Sequence, residues 1–266
     1  MNPFRTALRR QELTLGAWVQ IGHPAVAEIY AEAGFDWICV DLEHGIIDLE
    51  TMANLFRAIK GSRAVPVARI PENDPTWIHR SLDAGARGLI IPRVNSAEEA
   101  AAAVREALYP PEGVRGFGYC RANGYGANFD AYCDAANEDI ALIMQIEHCK
   151  AIPNLDEILS VDHVDGLFIG PLDLSGSMGV TGQMNHPEVK SALKEYLTAC
   201  RRHKASAGMH IVRVNDELIK KSVDQGYTCL ALGVDVVYLQ EGCTQAVQQA
   251  RRMYEQFNGI REDAKG

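Results

Sequence analysis

Short apolar runs alternate with longer amphipathic stretches along this chain. The runs are rich in Val, Ile and Leu and show little polar alternation, which is typical of strands covered on both faces in a parallel sheet. They lie at 15–20, 37–41, 64–70, 88–94, 141–147, 164–170, 205–212 and 227–233. Helical periodicity is clearest at 48–60, 96–108, 186–203 and 236–257, and shorter helices are predicted after Pro24, Asp74, Lys150 and Asn215.

Eight strands alternating with eight helices predict an α/β fold, a closed (β/α)₈ TIM barrel rather than an open doubly wound sheet. No linker or run of charge divides the chain, so residues 1–266 are predicted to form one domain. The irregular stretch 110–139 is too long for a plain connection and is predicted to be a functional loop. The final helix, 236–257, either closes the barrel or is exchanged with a neighbouring subunit.

Composition narrows the class of protein. The chain is 47% hydrophobic and 23% charged, as is usual for globular proteins, and its net charge of -9 disfavours a nucleic-acid partner. No stretch resembles a signal peptide or a membrane span. The seven cysteines form no CxxC pair, which predicts reduced thiols and a cytoplasmic location.

Polar residues concentrate where the predicted strands end. In barrels of this class the active site lies at the C-terminal ends of the strands. A single such residue, Arg69 or Glu147 for example, is better explained by a strand reaching the surface, but chance would not select the same end of several strands. The residues at these ends are Trp18, Gln20, Asp41, Glu43, His44, Arg69, Gln145, Glu147, His148, Asp173 and His210.

Two carboxylates suggest a metal site. Glu147 and Asp173 follow consecutive strands, and their oxygens suit a hard divalent cation such as Mg²⁺ or Mn²⁺, although a pair of surface acids remains the alternative. The segment 170–179 turns through small residues whose amides could hold a carboxylate or phosphate, or it is a plain turn. No lysine ends a predicted strand, which disfavours a Schiff base.

Several long motifs resemble the HpcH/HpaI aldolase family in order and spacing, from about residue 14 to residue 255. They are AGFDWICVDLEHG, VARIPENDP, LDAGARGLIIPRV, YPPEGVRG, QIEHCKAIPNLDEIL and VDGLFIGPLDLSGSMG. The resemblance implies a class II pyruvate aldolase on a phosphoenolpyruvate-binding type of TIM barrel, with Mg²⁺, Mn²⁺ or Co²⁺ as cofactor. It also implies a homohexamer, a trimer of dimers that exchange C-terminal helices.

The resemblance assigns roles to individual residues. His44 matches the general base, Asp83 matches the acid that raises its basicity, and Arg69 matches the arginine that stabilises an enolate. Glu147 and Asp173 match the metal-binding carboxylates. Contacts with the keto acid are assigned to Gln145, Asp173 and Leu172, the last through its backbone.

The implied reaction is the reversible cleavage of a 4-hydroxy-2-oxo acid to pyruvate and an aldehyde. His44, or a water that it activates, would take the proton from the 4-hydroxyl, and the cation and Arg69 would stabilise the pyruvate enolate. The same enolate leaves oxaloacetate decarboxylation or a malyl- or citryl-CoA-type lyase as alternatives. A keto-acid-binding barrel without catalysis is the alternative outside enzymes.

Some residues differ from the family pattern, and these differences are predicted to affect which aldehyde the protein binds. Trp18 and His210 are predicted to contact the substrate, and His210 stands where relatives carry an aliphatic residue. The loop 117–129 is also unusual. Its Arg121 and Tyr125, together with His210, would favour a polar or acidic aldehyde, unless the loop is remodelled without touching substrate.

Overall fold

The chain folds into a closed barrel of eight parallel strands arranged in chain order. A computed structural model describes residues 1–263, with side chains to residue 257, so residues 264–266 of the predicted domain lie outside the described residues. The predicted (β/α)₈ barrel is confirmed. Its strands are β1 (Thr14–Val19), β2 (Trp37–Asp41), β3 (Val65–Arg69), β4 (Gly88–Ile91), β5 (Ala141–Ile146), β6 (Gly166–Ile169), β7 (Ser206–Ile211) and β8 (Cys229–Val234).

Helices surround the barrel and follow the predicted pattern at most positions. In chain order they are α1 (Pro3–Arg9), α2 (Pro24–Ala33), α3 (Leu49–Ala58), α4 (Pro75–Asp83), α5 (Ala97–Ala107), α6 (Phe129–Asp139), α7 (Leu155–Leu159), α8 (Pro171–Ser177), α9 (Pro187–His203), α10 (Asp216–Gln225) and α11 (Asp235–Asp263). A 3₁₀ segment at Cys149–Asn154 precedes α7.

Two segments predicted to be irregular are helical. The predicted loop 110–139 ends at residue 128, and its remainder is α6. The predicted turn at 170–179 contains α8, which begins with Pro171, a residue whose fixed φ suits the first helical position. The Gly and Ser residues of 170–179 concealed α8, and the glycine-rich stretch before residue 129 concealed α6. Packing against the rest of the fold, rather than local sequence, stabilises such short helices.

Each helix that follows a strand begins at the C-terminal end of the barrel, here called the mouth, and returns to the opposite end. Short polar side chains at the mouth begin several of these helices. Asp48, Asp74, Ser96 and Asn215 accept hydrogen bonds from amides in the first turns of α3, α4, α5 and α10. This polarity determines which residues of a helix can approach the strand ends.

Aromatic side chains fill the barrel interior. Phe4 of α1 enters from the end opposite the mouth and stacks on Trp37, with ring centroids 5.3 Å apart. Asn2 holds α1 in place by donating to the carbonyls of Arg87 and Asp139. Gly16 leaves the space for the Trp37 ring, because a Cβ there would lie 2.1 Å from it.

The last helix, α11, extends well beyond the barrel. Its first residues contact β8 and β1, whereas many of its apolar side chains are exposed. These include Leu239, Val247, Met253 and Tyr254. Among the described residues, no helix combines the length and the apolar character needed to cross a membrane.

Candidate active site

Asp41 ends β2 and lies completely buried at the mouth. Its carboxylate accepts hydrogen bonds from Nε (2.9 Å) and Nη2 (2.7 Å) of Arg69 and from Nε2 of Gln20 (2.8 Å). Burial opposes the charge, but the hydrogen bonds and the charge of Arg69 outweigh it, so the pKa of Asp41 is lowered. An ionised Asp41 therefore fixes the guanidinium of Arg69 in a two-point pair.

The same carboxylate shapes the turn that carries the histidine. Oδ1 of Asp41 accepts the amides of Glu43 (3.1 Å) and His44 (3.3 Å). The turn requires a glycine at its end, because a Cβ on Gly45 would lie 2.4 Å from the carbonyl oxygen of Asp41. The side chain of His44 is therefore exposed at the mouth.

Arg69 has a second carboxylate and an aromatic ring beside it. Its Nη1 lies 3.1 Å from Oε2 of Glu43, and its guanidinium carbon lies 5.0 Å from the centre of the Trp18 ring. The imidazole of His210 stacks on Trp18 at 4.9 Å and is hydrogen-bonded through Nε2 to the carbonyl of Gly233 (2.9 Å). The site thus holds its enolate-stabilising candidate rigidly, between two carboxylates and an indole.

The second half of the site is a pair of carboxylates around a glycine. Glu147 accepts the amide of Arg93 (2.9 Å) and Nε2 of Gln145 (2.6 Å). A Cβ built on Gly170 would lie 3.3 Å from Oε2 of Glu147 and 3.7 Å from Oδ2 of Asp173. Both carboxylates therefore border one small space, into which a side chain at position 170 would project.

The electrostatics of this space suit a divalent cation. Burial raises the pKa of Glu147, and the nearby charges of Glu43 and Asp173 raise it further. Burial also raises the pKa of Glu43, against the opposing charge of Arg69. The buried carbonyl oxygen of Gln145, Oε1, has no hydrogen-bond partner among the described residues. Clustered carboxylates and an unpartnered amide oxygen are the ligand atoms that Mg²⁺ and Mn²⁺ prefer.

Most predicted site residues lie at this mouth. The structure brings Trp18, Arg69 and His210 into contact, and places Gln145, Glu147 and Asp173 around the second half of the site. Leu172 is exposed in the first turn of α8. The first hydrogen bond of this helix joins the amide of Leu174 to the carbonyl of Gly170. The amides of Leu172 and Asp173 come before it, so neither has a partner within the helix.

Asp83 is not brought to His44 within the chain, so the predicted pairing of these two residues does not occur in a single subunit. Asp83 is the last residue of α4, which begins at the mouth and ends at the opposite end of the barrel. There its carboxylate accepts a hydrogen bond from Nη2 of Arg115 (2.6 Å). The order of residues along the chain could not show which end of the barrel Asp83 occupies.

The loop 117–129 also lies away from the mouth of its own barrel. Arg121 donates to the carbonyl of Phe56 in the last turn of α3 and to that of Ala84 after α4. Tyr125 accepts a hydrogen bond from Arg57, which is also in the last turn of α3. The prediction that Arg121 and Tyr125 contact the aldehyde therefore fails for a site built from one chain.

Sequence reasoning missed several residues that build the site. Asp235, the first residue of α11, accepts the amides of Gln20 and Ile21 and so anchors the end of β1. Arg93 supplies an amide to Glu147. The sequence did contain a signal for Asp235, which, like Asp41, is an acid at the end of an apolar run. No signal indicated the role of Gly170.

A second acidic cluster lies at the opposite end of the barrel. Ligand atoms of Glu112, Glu138 and His163 lie within 4.8 Å of one another. The guanidinium of Arg5 occupies this cluster, because it contacts Nδ1 of His163 (3.1 Å) and Oε2 of Glu138 (3.5 Å). Its positive charge lies inside the cluster and offsets part of the acidic charge, and the cluster is separate from the candidate active site.

Comparisons with known proteins agree with this geometry. Residues 14–241 match the family described as HpcH/HpaI aldolase/citrate lyase. The hydroxypyruvate/pyruvate aldolase of Roseovarius nubinhibens is 39% identical over 251 residues, which cover 94% of this chain and 97% of that protein. The 4-hydroxy-2-oxo-heptane-1,7-dioate aldolase of Klebsiella pneumoniae is 39% identical over 242 residues, 91% of each chain.

A solved structure shows the same likeness. The crystal structure of a family protein from Burkholderia cenocepacia superposes with a TM-score of 0.90 at 33% identity, covering 94% of this chain and 100% of that chain. The resemblance seen in the sequence motifs is thereby confirmed, and the chain belongs to the HpcH/HpaI aldolase/citrate lyase family.

Proposed function

We propose that this protein is a divalent-metal-dependent pyruvate aldolase, which reversibly cleaves a 4-hydroxy-2-oxo acid to pyruvate and an aldehyde. As a member of its family it is a carbon–carbon lyase. The proposal of a metal-dependent pyruvate aldolase rests on one observation. A buried arginine, fixed by Asp41, lies at the same mouth as two carboxylates that border the open space at Gly170. Arg69 and a cation between Glu147 and Asp173 would stabilise an enolate together.

The residues of the chain divide the work of the reaction. When bound, the cation would polarise the oxygens of the keto acid and neutralise the carboxylates. Arg69 stabilises the negative charge that develops on the enolate oxygen. His44 exchanges a proton with the 4-hydroxyl, directly or through a water. Trp18, almost completely buried, keeps solvent away from the guanidinium.

Lysine chemistry is poorly supported by the same geometry. All the lysines within the described residues, including Lys150 near the mouth, are exposed. A Schiff-base lysine needs a desolvated amine with a lowered pKa. Stabilisation of the enolate by metal and arginine is therefore the better-supported chemistry, and Mg²⁺, Mn²⁺ and Co²⁺ are the proposed cations.

Proton exchange at pyruvate tests the proposed function directly. In ²H₂O with Mg²⁺, we expect the enzyme to exchange the methyl protons of pyruvate without any aldehyde, because enolate formation is the shared step. With an aldehyde it should form a 4-hydroxy-2-oxo acid. NMR follows both reactions. Binding of pyruvate without exchange would instead indicate a keto-acid-binding barrel without catalysis.

A comparison of substrates separates the enzyme alternatives. Oxaloacetate decarboxylation passes through the same enolate and is expected as a side activity. A kcat/KM for oxaloacetate that exceeds those of all aldol substrates would make decarboxylation the main function and contradict the aldolase proposal.

Metal affinity is expected to depend on pH in a window set by Glu147. Its raised pKa means that it retains a proton at higher pH than an ordinary glutamate, and a protonated carboxyl cannot bind a cation. The dissociation constant for Mn²⁺ should therefore rise about tenfold per pH unit as the pH falls below that raised pKa. Isothermal titration calorimetry from pH 7.5 to about 5 measures this change.

The variant Glu43→Gln is the matched comparison for this pH dependence. It removes the charge that ranks second, after burial, in raising the pKa of Glu147. Its loss of Mn²⁺ affinity should begin at lower pH than in the native enzyme. An affinity that stays constant until the ordinary glutamate pKa of 4.5 would contradict the proposed role of Glu147.

We also propose that the active enzyme is an oligomer, a hexamer built as a trimer of dimers. The exposed apolar side chains of α11 support this, because such surfaces usually mark contacts between proteins. The predicted support of His44 by Asp83 then requires an Asp83 from another subunit, and the Asp83 side chain is partly exposed.

Two further predictions of the sequence remain proposals. We propose that the chain forms one domain, supported by the barrel's closure between β1 and β8. We propose a cytoplasmic location, supported by seven cysteines that are all free thiols.

A further inference from the structure

The two ring nitrogens of His210 have different surroundings. Nε2 lies 2.9 Å from the carbonyl oxygen of Gly233. A carbonyl oxygen can only accept a hydrogen bond, so Nε2 carries the hydrogen. Nδ1 has no hydrogen-bond partner among the described residues. His210 is therefore held in one tautomer whose second nitrogen is an available acceptor.

Neighbouring groups keep this imidazole neutral and oriented. Its ring stacks on Trp18, with an interplanar angle of 21°, and Trp18 is itself almost completely buried. Burial and the nearby charge of Arg69 lower the pKa of His210, while the Gly233 carbonyl and Asp41 oppose that change. A neutral ring cannot donate from Nδ1, so this atom presents a lone pair only.

The ring of His210 lies close to Arg69 and Asp41, whose charges act on it. His210 is the second-last residue of β7, at the mouth, and both it and Arg69 contact the same Trp18 ring. A keto acid held by Arg69 and the carboxylates around Gly170 would extend its aldehyde-derived end within this mouth. His210 is one of the polar groups on the side of the mouth formed by β1, β7 and β8.

We propose that Nδ1 of His210 is a fixed hydrogen-bond acceptor that selects aldehydes carrying a hydroxyl group over aldehydes carrying a carboxylate. This inference rests on the proposed aldolase function and names its aldehyde class. A hydroxyl donates to Nδ1, whereas an ionised carboxylate offers only lone pairs that repel it. Arg69 is assigned to the enolate end of the substrate, so it is not available to a carboxylate at the aldehyde end. The earlier expectation of a polar or acidic aldehyde narrows to hydroxyaldehydes.

Three small aldehydes test the inference. Glycolaldehyde carries a hydroxyl, glyoxylate carries a carboxylate, and acetaldehyde carries neither. The kcat/KM for condensation with pyruvate is measured for each, in the native enzyme and in His210→Phe, which keeps an aromatic ring against Trp18 but has no acceptor. The ratio between two aldehydes is compared across the enzymes, so that intrinsic reactivity and any general loss of activity cancel.

The expected result is a change in selectivity. In His210→Phe the ratio of glycolaldehyde to acetaldehyde should fall roughly five- to tenfold, as expected for one lost hydrogen bond. The ratio of glyoxylate to acetaldehyde should stay level or rise, because the repelling lone pair is gone. The control His203→Phe changes a histidine at the end of α9, opposite the mouth, and should keep the native ratios.

Different failures have different meanings. If all three aldehydes lose activity in the same proportion, His210 has only a structural role and the inference is overturned. The inference would also be overturned if the ratio of kcat/KM for glyoxylate to kcat/KM for glycolaldehyde were higher in the native enzyme than in His210→Phe. That result would leave the proposed aldolase function unaffected. If the native enzyme condenses none of the three aldehydes and does not exchange pyruvate protons, the proposed function fails and the inference fails with it.

Discussion

Replacing Arg69 with Ala is expected to lower kcat/KM for aldol cleavage by roughly 10²- to 10³-fold, the cost of removing one preorganised donor from a developing oxyanion. The guanidinium donates two hydrogen bonds to Asp41 and lies beside Glu43, so it can stabilise the enolate oxygen without reorganising. No other described arginine at the mouth is fixed in this way. Steady-state kinetics with a 4-hydroxy-2-oxo acid measure the loss.

The fold must be checked separately, because the Ala variant leaves two carboxylates without their cation. Breaking a buried pair in this way can cost about 3–5 kcal/mol of stability. Arg69→Lys keeps the charge but not the two-point geometry, so it should remain more stable than the Ala variant and still lose most activity. Arg213→Ala, at an exposed ion pair with Glu241, is the matched control. Near-native turnover in folded Arg69→Ala would remove Arg69 from the mechanism.

Removal of the metal is expected to have an equally large effect. A chelator-treated, metal-free enzyme should retain less than about a thousandth of the native kcat/KM, since both charge neutralisation and keto-acid binding depend on the cation. Adding Mg²⁺, Mn²⁺ or Co²⁺ should restore activity. Binding should also raise the melting temperature of the native protein, because the cation relieves repulsion among buried carboxylates.

The variant Glu147→Gln distinguishes metal binding at Glu147 from a general effect of added salt. It should show neither restored activity nor a rise in melting temperature on addition of metal. Glu157→Gln, which changes an exposed glutamate of α7, should respond as the native enzyme does. Full activity in a metal-free preparation would refute metal dependence altogether.

The barrel could be predicted because its strands carry a strong local signal. In 37–41 the apolar run and the final acid coincide with β2 as observed. By contrast, 129–139 is only weakly amphipathic and follows a glycine-rich loop, so α6 was hidden. Helix α1 was also missed, because its stability comes from Phe4 reaching into the barrel rather than from its own sequence.

The sequence predicts site residues well when they lie at the ends of strands. It predicts them less well when they lie on helices or loops, whose position relative to the mouth depends on the whole fold. Asp41 on β2 and Arg69 on β3 are register partners, so their pairing follows once the strands are aligned. Asp83 and Arg121 are different. The family resemblance identified Asp83 and a departure from the family pattern identified Arg121, but only the path of α4 and of the loop shows that both lie far from the mouth of their own chain.

The space at Gly170 has a consequence for recognising active relatives of this protein. The backbone there has φ near -105°, which any amino acid tolerates, so glycine is needed only for room. An alanine methyl would lie 3.0 Å from Cβ of Glu147 and would intrude between the two carboxylates. A relative could therefore keep every acid, arginine and histidine of the site and still have less room for a cation because of one added carbon. A search for active relatives should accordingly compare the residue at position 170 as well as the charged residues.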